Sequence, residues 1–344
     1  MRIAIITDNY SKTSSKKGVK FQTIEYISRS LEMKGHQVEL FCWLESDYIL
    51  RKIDSEEVSL TNRYHDLDNY NLRVLYDYDL IHNFSIRFLM ECLEQHISLP
   101  IVTTITEYCS GHERRILRIE ESDINNRFVY SSTELAIKYK VFPDSSNVIT
   151  AGIDIVAWPF NNAPLQDFLL YHNEIHKSCG VQQAIDVAKK WNKKLIISGK
   201  IRCSDFFESS VLPQLDEYKI KYIGDLNDHN LSHYLQNVIG LINTSYNDND
   251  TMLTIAKSLA SGTPVISINT DISAKLLGAK NGIILKGEKV IEELPDFSRL
   301  LNISRASCRM GALARFNNVD MLNSYNLLYQ DVLNNNSVNL KPAS

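Results

Sequence analysis

Lys177, Lys200 and Arg202 follow two successive strand-like runs in the second half of the chain. At the carboxyl ends of neighbouring strands such cations could neutralise a diphosphate, and Lys257 is a fourth candidate. As solvated surface residues they would need no such role. His172 and His176 stand four apart, a spacing that holds metal when both sit on one helix. They flank the end of a strand-like run, so no metal is expected. Asp248, Asn249 and Asp250, preceded by Asn247, gather oxygens of the kind hard cations favour. A solvated loop with Asp250 as the cap of the next helix explains them more simply. Glu107, Glu120 and Glu121 could supply a reacting carboxylate in the first half, although a charged helical stretch would need them for nothing more. Arg114, Arg115 and Arg118, with Lys12, Lys16, Lys17 and Lys20, could meet an anionic lipid surface. Glu113, Glu120 and Glu121 dilute that patch, so a solvated face is the simpler reading, and any membrane contact would be peripheral.

These residues are carried by alternating strands and helices. Apolar runs bounded by turn residues predict strands at Ile3–Thr7, Gln37–Cys42, Leu72–Tyr76, Leu80–Phe84, Ile101–Thr104, Phe128–Tyr130 and Val148–Thr150. Helical spacing over Phe21–Lys34 ends at Gly35, a glycine cap. The pattern restarts near Asp167, with strands at Phe168–Tyr171, Leu195–Ser198, Lys221–Ile223, Val238–Asn243, Pro264–Ile268 and Ile283–Leu285. Helices are predicted near Val181–Trp191, Asp228–Leu235 and Thr251–Ala260. Between the halves, Ala151–Pro164 holds two prolines and a small polar run, as a hinge would. The expectation is an α/β protein of two doubly wound, parallel-sheet (Rossmann-like) domains facing each other across a cleft, with ligands at the carboxyl ends of the strands.

Composition excludes several classes. At 344 residues the chain should hold two domains. Against 37 basic side chains stand 41 acidic ones, a net charge of −4 that offers nucleic acid no global attraction. Six scattered cysteines (Cys42, Cys92, Cys109, Cys179, Cys203, Cys308) show no zinc spacing and suit a reduced, cytoplasmic setting. No run is long enough for a membrane span and the amino terminus reads as no signal peptide. A Gly-x-Ser-x-Gly elbow and a Gly-x-Gly-x-x-Gly turn are both absent, against hydrolase and dehydrogenase chemistry. Glycine, 13 residues in all, is scarce for a fold whose backbone must approach phosphate.

The segment Ser258–Ile266, a helix running into Gly262-Thr263-Pro264 and an apolar strand, resembles the donor-site helix and turn of GT-B glycosyltransferases of the family-4 type. Further stretches resemble that family in the same order: Met1–Thr7, Lys17-Gly18-Val19, Lys34-Gly35-His36-Gln37-Val38, Asp79–Asn83, Pro100–Thr104, Gly152-Ile153-Asp154, and Arg315-Phe316 through Tyr325 and Tyr329. The resemblance implies an acceptor-side domain over residues 1–155, a donor-side domain over 156–315 and a helix over 316–335 returning to the first domain; the polar composition from the Asn334–Asn336 run onward predicts a disordered tail over 336–344. It also implies a retaining enzyme that uses a nucleotide sugar as substrate, with no cofactor and no metal.

At the family's functional positions the chain departs from the pattern. The helix glutamates become Asn249 and Lys257, the diphosphate-binding arginine and lysine become Glu174 and Cys179, and the central histidine becomes Thr106. Gly18 and Gly224 remain candidates for close approach to a donor, and Lys177, Lys200 and Lys257 for a rebuilt clamp. The sequence therefore suggests a degenerate glycosyltransferase acting as partner subunit of an active one in glycan or glycoprotein assembly. The alternatives are an active retaining enzyme with a rebuilt clamp, or a sugar- or nucleotide-sugar-binding module.

Overall fold

The computed structural model describes residues 1–8, 18–42, 64–67, 72–95, 99–108, 126–141, 147–216, 218–245, 248–286 and 290–339. It divides into two compact units whose continuous blocks are Val19–Ala151 and Gly152–Asn318; the first strand and the chain from Val319 onward belong with the first block.

The first unit holds a six-stranded parallel sheet. Its strands are β1 (Arg2–Thr7), β2 (Gln37–Cys42), β3 (Tyr64–Asp66), β4 (Leu80–Asn83), β5 (Ile101–Ile105) and β6 (Asn126–Tyr130), in the spatial order β3-β2-β1-β4-β5-β6. Period-two alternation feeds both faces, so β1 reads as an unbroken apolar run. Ile3 and Ile5 join one core with Ile24, Ile27 and Leu31 of α1 (Val19–Met33). Ala4 and Ile6 join the other, with Phe88 and Cys92 of α2 (Ile86–Glu94). A short helix, α3 (Thr133–Lys138), follows β6.

The second unit repeats the plan. β7 (Phe168–His172), β8 (Lys194–Ser198), β9 (Ile220–Tyr222), β10 (Gly240–Asn243), β11 (Val265–Ile268) and β12 (Gly282–Leu285) lie in the order β12-β11-β10-β7-β8-β9, all parallel. Between them run α4 (Val181–Lys190), α5 (Asp228–Asn237), α6 (Asp248–Ala260) and α7 (Asp271–Leu276), and α8 (Arg305–Phe316) comes after. Numbered within its own unit, each sheet has the order 3-2-1-4-5-6 of a doubly wound Rossmann fold.

The final helix, α9 (Asn318–Asn339), gives Met321, Tyr325, Tyr329 and Val332 to the core of the first unit, beside Ile3, Ile5 and Val129. Where the chain enters and leaves the second unit, Ile153 N donates to Phe316 O and Asn318 N to Ile153 O. Gly152 is required at this crossing, because a Cβ there would stand 2.6 Å from Asn318 Cα.

Several sequence expectations need correction. Leu72–Tyr76 is not a strand but the start of a 3₁₀ turn, Leu72–Asp77, because its buried residues Leu72 and Leu75 recur every three positions rather than every two. Val148–Thr150 makes only an isolated bridge to Tyr130. Its neighbours Ile149 and Ala151 bond to Tyr130 and Ser131 at and beyond the end of β6, where the ladder has run out. Asp250 does not cap α6, which already begins at Asp248. Glu107 lies in a bend after β5, not in a helix. Backbone helix continues to Asn339, past the polar Asn334–Asn336 run expected to open the tail. Cys109, Lys12, Lys16, Lys17, Glu113, Arg114, Arg115, Arg118, Glu120, Glu121 and Asn247 lie outside the described residues.

Candidate functional site

In each sheet the strand order reverses between the first and fourth strands, and the crevice outside their carboxyl ends is where such folds bind ligands. In the second unit that point lies between β7 and β10. Leaving β7, the chain crosses the exit of β8 closely. Asn173 N donates to Ser198 O, Ile175 N to Lys200 O, and Arg202 N to Ile175 O. Gly199, at φ +144°, is needed here because a Cβ would overlap Asn173 O.

The sequence candidates Glu174 and Lys200 thus sit on adjacent crossing loops. Glu174 Oε1 accepts from Arg202 Nε at 2.8 Å, an ion pair between the exits of β7 and β8. Lys200 is exposed. Exposed Lys177 and half-buried Cys179 form one 3₁₀ turn, Lys177–Cys179, which leads into α4. His176 spends its ring nitrogen on that turn, accepting from Ser178 N at 3.3 Å, while His172 is buried in β7 against Ser198 Oγ at 3.2 Å. The two histidines do not form a helical pair, and no cluster of three metal-ligating side chains occurs among the described residues.

The turn is tied down from beneath. Tyr171 OH donates to Cys179 O at 2.8 Å, and Thr244 Oγ1, just past β10, donates to Gly180 O at 2.6 Å. Gly180 has φ +78°, and a Cβ there would stand 2.1 Å from Thr244 O. Only glycine brings the start of α4 this close to the end of β10. Burial first, then the nearby Cys179 and Glu174, hold the Tyr171 hydroxyl well above its ordinary pKa, so it serves as a donor and not as an acid.

Lys257 stands near the last turn of α6, side chain 9% exposed, with Nζ 2.8 Å from Asp228 Oδ1 in the first turn of α5 and 5.1 Å from the centroid of the Trp158 ring. A counter-ion and an aromatic face therefore occupy this ammonium. Asn249 lies in the first turn of the same helix; its side chain is outside the described residues. Gly224, after β9, has φ +81° and open space where a Cβ would stand, and its carbonyl accepts from Gly199 N.

Of the remaining candidates, Gly18 immediately precedes α1 but groups with the second unit, and Thr106, nearly fully buried, follows β5 in the first. Thr106 helps line a cavity of about 340 Å³ with Asp8, Lys20, Ser85 and Glu107. Lys20 Nζ lies 3.6 Å from Asp8 Oδ2 and 3.2 Å from Glu107 Oε1, and Ser85 Oγ donates to Asp8. Behind this cavity His82 is buried. Its Nδ1 meets Tyr329 OH at 2.6 Å and its Nε2 meets Thr104 Oγ1 at 2.7 Å, which in turn meets Tyr325 OH at 3.0 Å.

Sequence reasoning missed Tyr171, Thr244, Asp228 and Trp158, which hold the candidate loop and Lys257 in place. Asp228 carried the available signal, since Asn227-Asp228 opens a helix with a capping residue followed by an acid.

No family model and no curated protein matches the chain. Solved structures do. Sucrose-phosphate synthase from Thermosynechococcus elongatus is 15% identical, covering 96% of this chain and 98% of that one, with a TM-score of 0.73. A glycosyltransferase from Rickettsia africae is 14% identical over 96% and 98%, with a TM-score of 0.72. Anabaena HepE, solved with UDP-glucose, is 13% identical over 98% and 100%, with a TM-score of 0.67. No helix among the described residues is long and apolar enough to cross a membrane. Two Rossmann-like units with the same strand order, matched over nearly the whole chain to these enzymes, give this protein the GT-B fold of glycosyltransferases.

Proposed function

We propose that this chain is a GT-B protein with no sugar transfer of its own, retained as the partner subunit of an active glycosyltransferase in glycan or glycoprotein assembly. The carrying observation is the Glu174–Arg202 pair. A departing nucleoside diphosphate gains negative charge, and catalysis needs donors already aimed at it. At the reversal point of the second sheet this chain presents a carboxylate, and the guanidinium beside it is spent on that carboxylate. The position that corresponds to the family's second helix glutamate is an ammonium committed to Asp228, so that position offers neither a carboxylate to a sugar nor a free cation to a phosphate.

One observation favours an active enzyme instead. Lys177 and Lys200 are exposed on the two crossing loops, and together they could clamp a diphosphate in a rebuilt site. Calorimetry and turnover assays with UDP, GDP and their sugars separate the readings, UDP-glucose being the natural first probe because Anabaena HepE was solved with it. The partner reading expects no turnover and no binding tighter than the millimolar range. It also expects the protein isolated from its host to travel with a second, catalytically complete glycosyltransferase that loses activity or solubility without it. Micromolar UDP binding with sugar transfer that disappears in Lys177→Ala and Lys200→Ala would establish the enzyme.

A further inference from the structure

Helix α8 buries one side and exposes an apolar stripe on the other. Arg305, Cys308, Ala312 and Phe316 face the core of the second unit. An amphipathic helix would turn polar residues outward. Here Ala306, Met310 and Leu313 are exposed instead, at i, i+4 and i+7, and Met310 is 65% exposed. Between that stripe and the turn that follows α7 runs a groove of about 610 Å³, lined by Leu276, Ala279 and Asn281 on one wall and by Ala306, Met310 and Gly311 on the other. The volume is in the range of ligand-binding clefts. At Gly311 a Cβ would make only ordinary contact, 3.7 Å from the Asn281 side chain. Asn281 is tied to its own turn, accepting from Gly278 N and donating to Leu276 O, which holds that wall in place.

Charge narrows the occupant. Lys280 and Arg315 both line the groove and both are exposed, while no aspartate or glutamate is among its described lining residues. Arg315 is held at one end, its Nη1 donating to the carbonyls of Lys275 and Leu276. A second copy of the chain docking face to face through a two-fold axis would bring the same two cations against themselves. We infer that this groove docks an acidic amphipathic helix of a protein partner, its apolar residues lying along Ala306 and Met310 and its carboxylates against Lys280 and Arg315. The inference rests on the reading of the chain as a partner subunit, and it assigns that role to a surface remote in sequence from Glu174 and Lys177.

The test uses the full-length protein and a fluorescein-labelled peptide with leucines at i, i+4 and i+7 and glutamates at the flanking positions, followed by polarisation. The acidic peptide should bind and lose affinity as salt rises, and its counterpart with lysines for glutamates should not bind. Met310→Glu and Lys280→Glu, both surface changes, should each weaken binding about tenfold or more. Equal binding of the two peptides, or binding indifferent to Met310→Glu, would overturn the groove assignment. So would a concentration-dependent dimer in sedimentation that Met310→Glu dissolves, since the occupant would then be a second copy. Nucleotide-sugar turnover by the purified chain would overturn the partner reading beneath the inference, a result separate from any of these.

Discussion

His82 should make the stability of the first unit depend on pH in a way that one substitution removes. The side chain is fully buried, stacked on Phe84 at 4.4 Å between ring centroids, and touched by Tyr325 and Tyr329 of α9. Its two nitrogens are engaged by hydroxyls, which suit a neutral ring: Tyr329 donates to Nδ1, and Nε2–H donates to Thr104. Burial pushes its pKa from 6.5 down to about 3. The folded-state value lies below the unfolded one, so the unfolded chain binds the extra proton between pH 6.5 and pH 3. Stability is therefore full above pH 6.5 and is lost as the pH falls toward 3. Each pH unit inside the window costs about 1.4 kcal/mol, so lowering the pH from 7 to 5 should cost roughly 2 kcal/mol through this group alone.

That is a large part of a typical domain's margin of about 5–15 kcal/mol. Urea titrations at pH 5, 6 and 7, on wild type and on His82→Gln, give the comparison. Gln removes the titrating ring whatever its own cost, so the informative quantity is the difference between the two pH slopes. Wild type should lose roughly 2 kcal/mol more than the variant across this range. Parallel slopes would refute the argument and show that His82 is not held neutral by its surroundings.

Truncation after Asn317 removes Met321, Tyr325, Tyr329 and Val332 from the core of the first unit, and at about 1.5–3 kcal/mol each that loss is comparable to the whole of the usual margin; proteolysis should then degrade Val19–Ala151, and an unchanged melting curve would contradict it. Arg305→Met strips donors from the carbonyls of Asn161, Gln236 and Val238 and from Thr263 Oγ1, at 2.6, 2.9, 2.8 and 2.7 Å, and should cost about 3 kcal/mol or more in a urea titration of the second unit. Gly180→Ala should be destabilising by more than about 1 kcal/mol, because the methyl would meet Thr244 O while the backbone stays at positive φ. Glu174→Arg with Cys179→Lys frees Arg202 and adds two cations, and calorimetry should show UDP binding strengthened roughly a hundredfold and weakened by salt; no gain with the fold intact would place the diphosphate elsewhere.

Legibility in the sequence followed the physics of each element. Buried parallel strands are continuous apolar runs, so β2 was placed to the residue and β7, β8 and β11 to within one. Tyr64–Asp66 gave no signal, since three residues without an apolar run are held as a strand only by pairing with β2. Leu72–Tyr76 deceived because four apolar and β-compatible residues in five suit a 3₁₀ turn as well as a strand until burial shows a spacing of three. At the candidate site the sequence could name Glu174, Lys257 and Arg202, but ion pairing links residues 28 and 29 apart and is set by how loops cross. No local pattern encodes that crossing; glycines at positions 180 and 199 are its nearest trace, through the clashes a side chain would cause.

The two ion pairs also bear on what has been kept in this chain. A surface pair is worth little, about 0–1 kcal/mol, so Glu174–Arg202, with Arg202 more than half exposed, is no structural necessity. The Lys257–Asp228 pair differs, because the ammonium is nearly buried and leaving it alone would strand a charge against Trp158. Reversing Lys257 to the glutamate that the family resemblance would place there therefore sets a carboxylate beside Asp228, and the fold must lose stability before any activity can be gained. Lys257→Glu alone should destabilise the second unit, and Lys257→Glu with Asp228→Lys should recover it. A single variant as stable as wild type in urea would show that Asp228 is not holding Lys257, and would return that position to the candidates for sugar recognition.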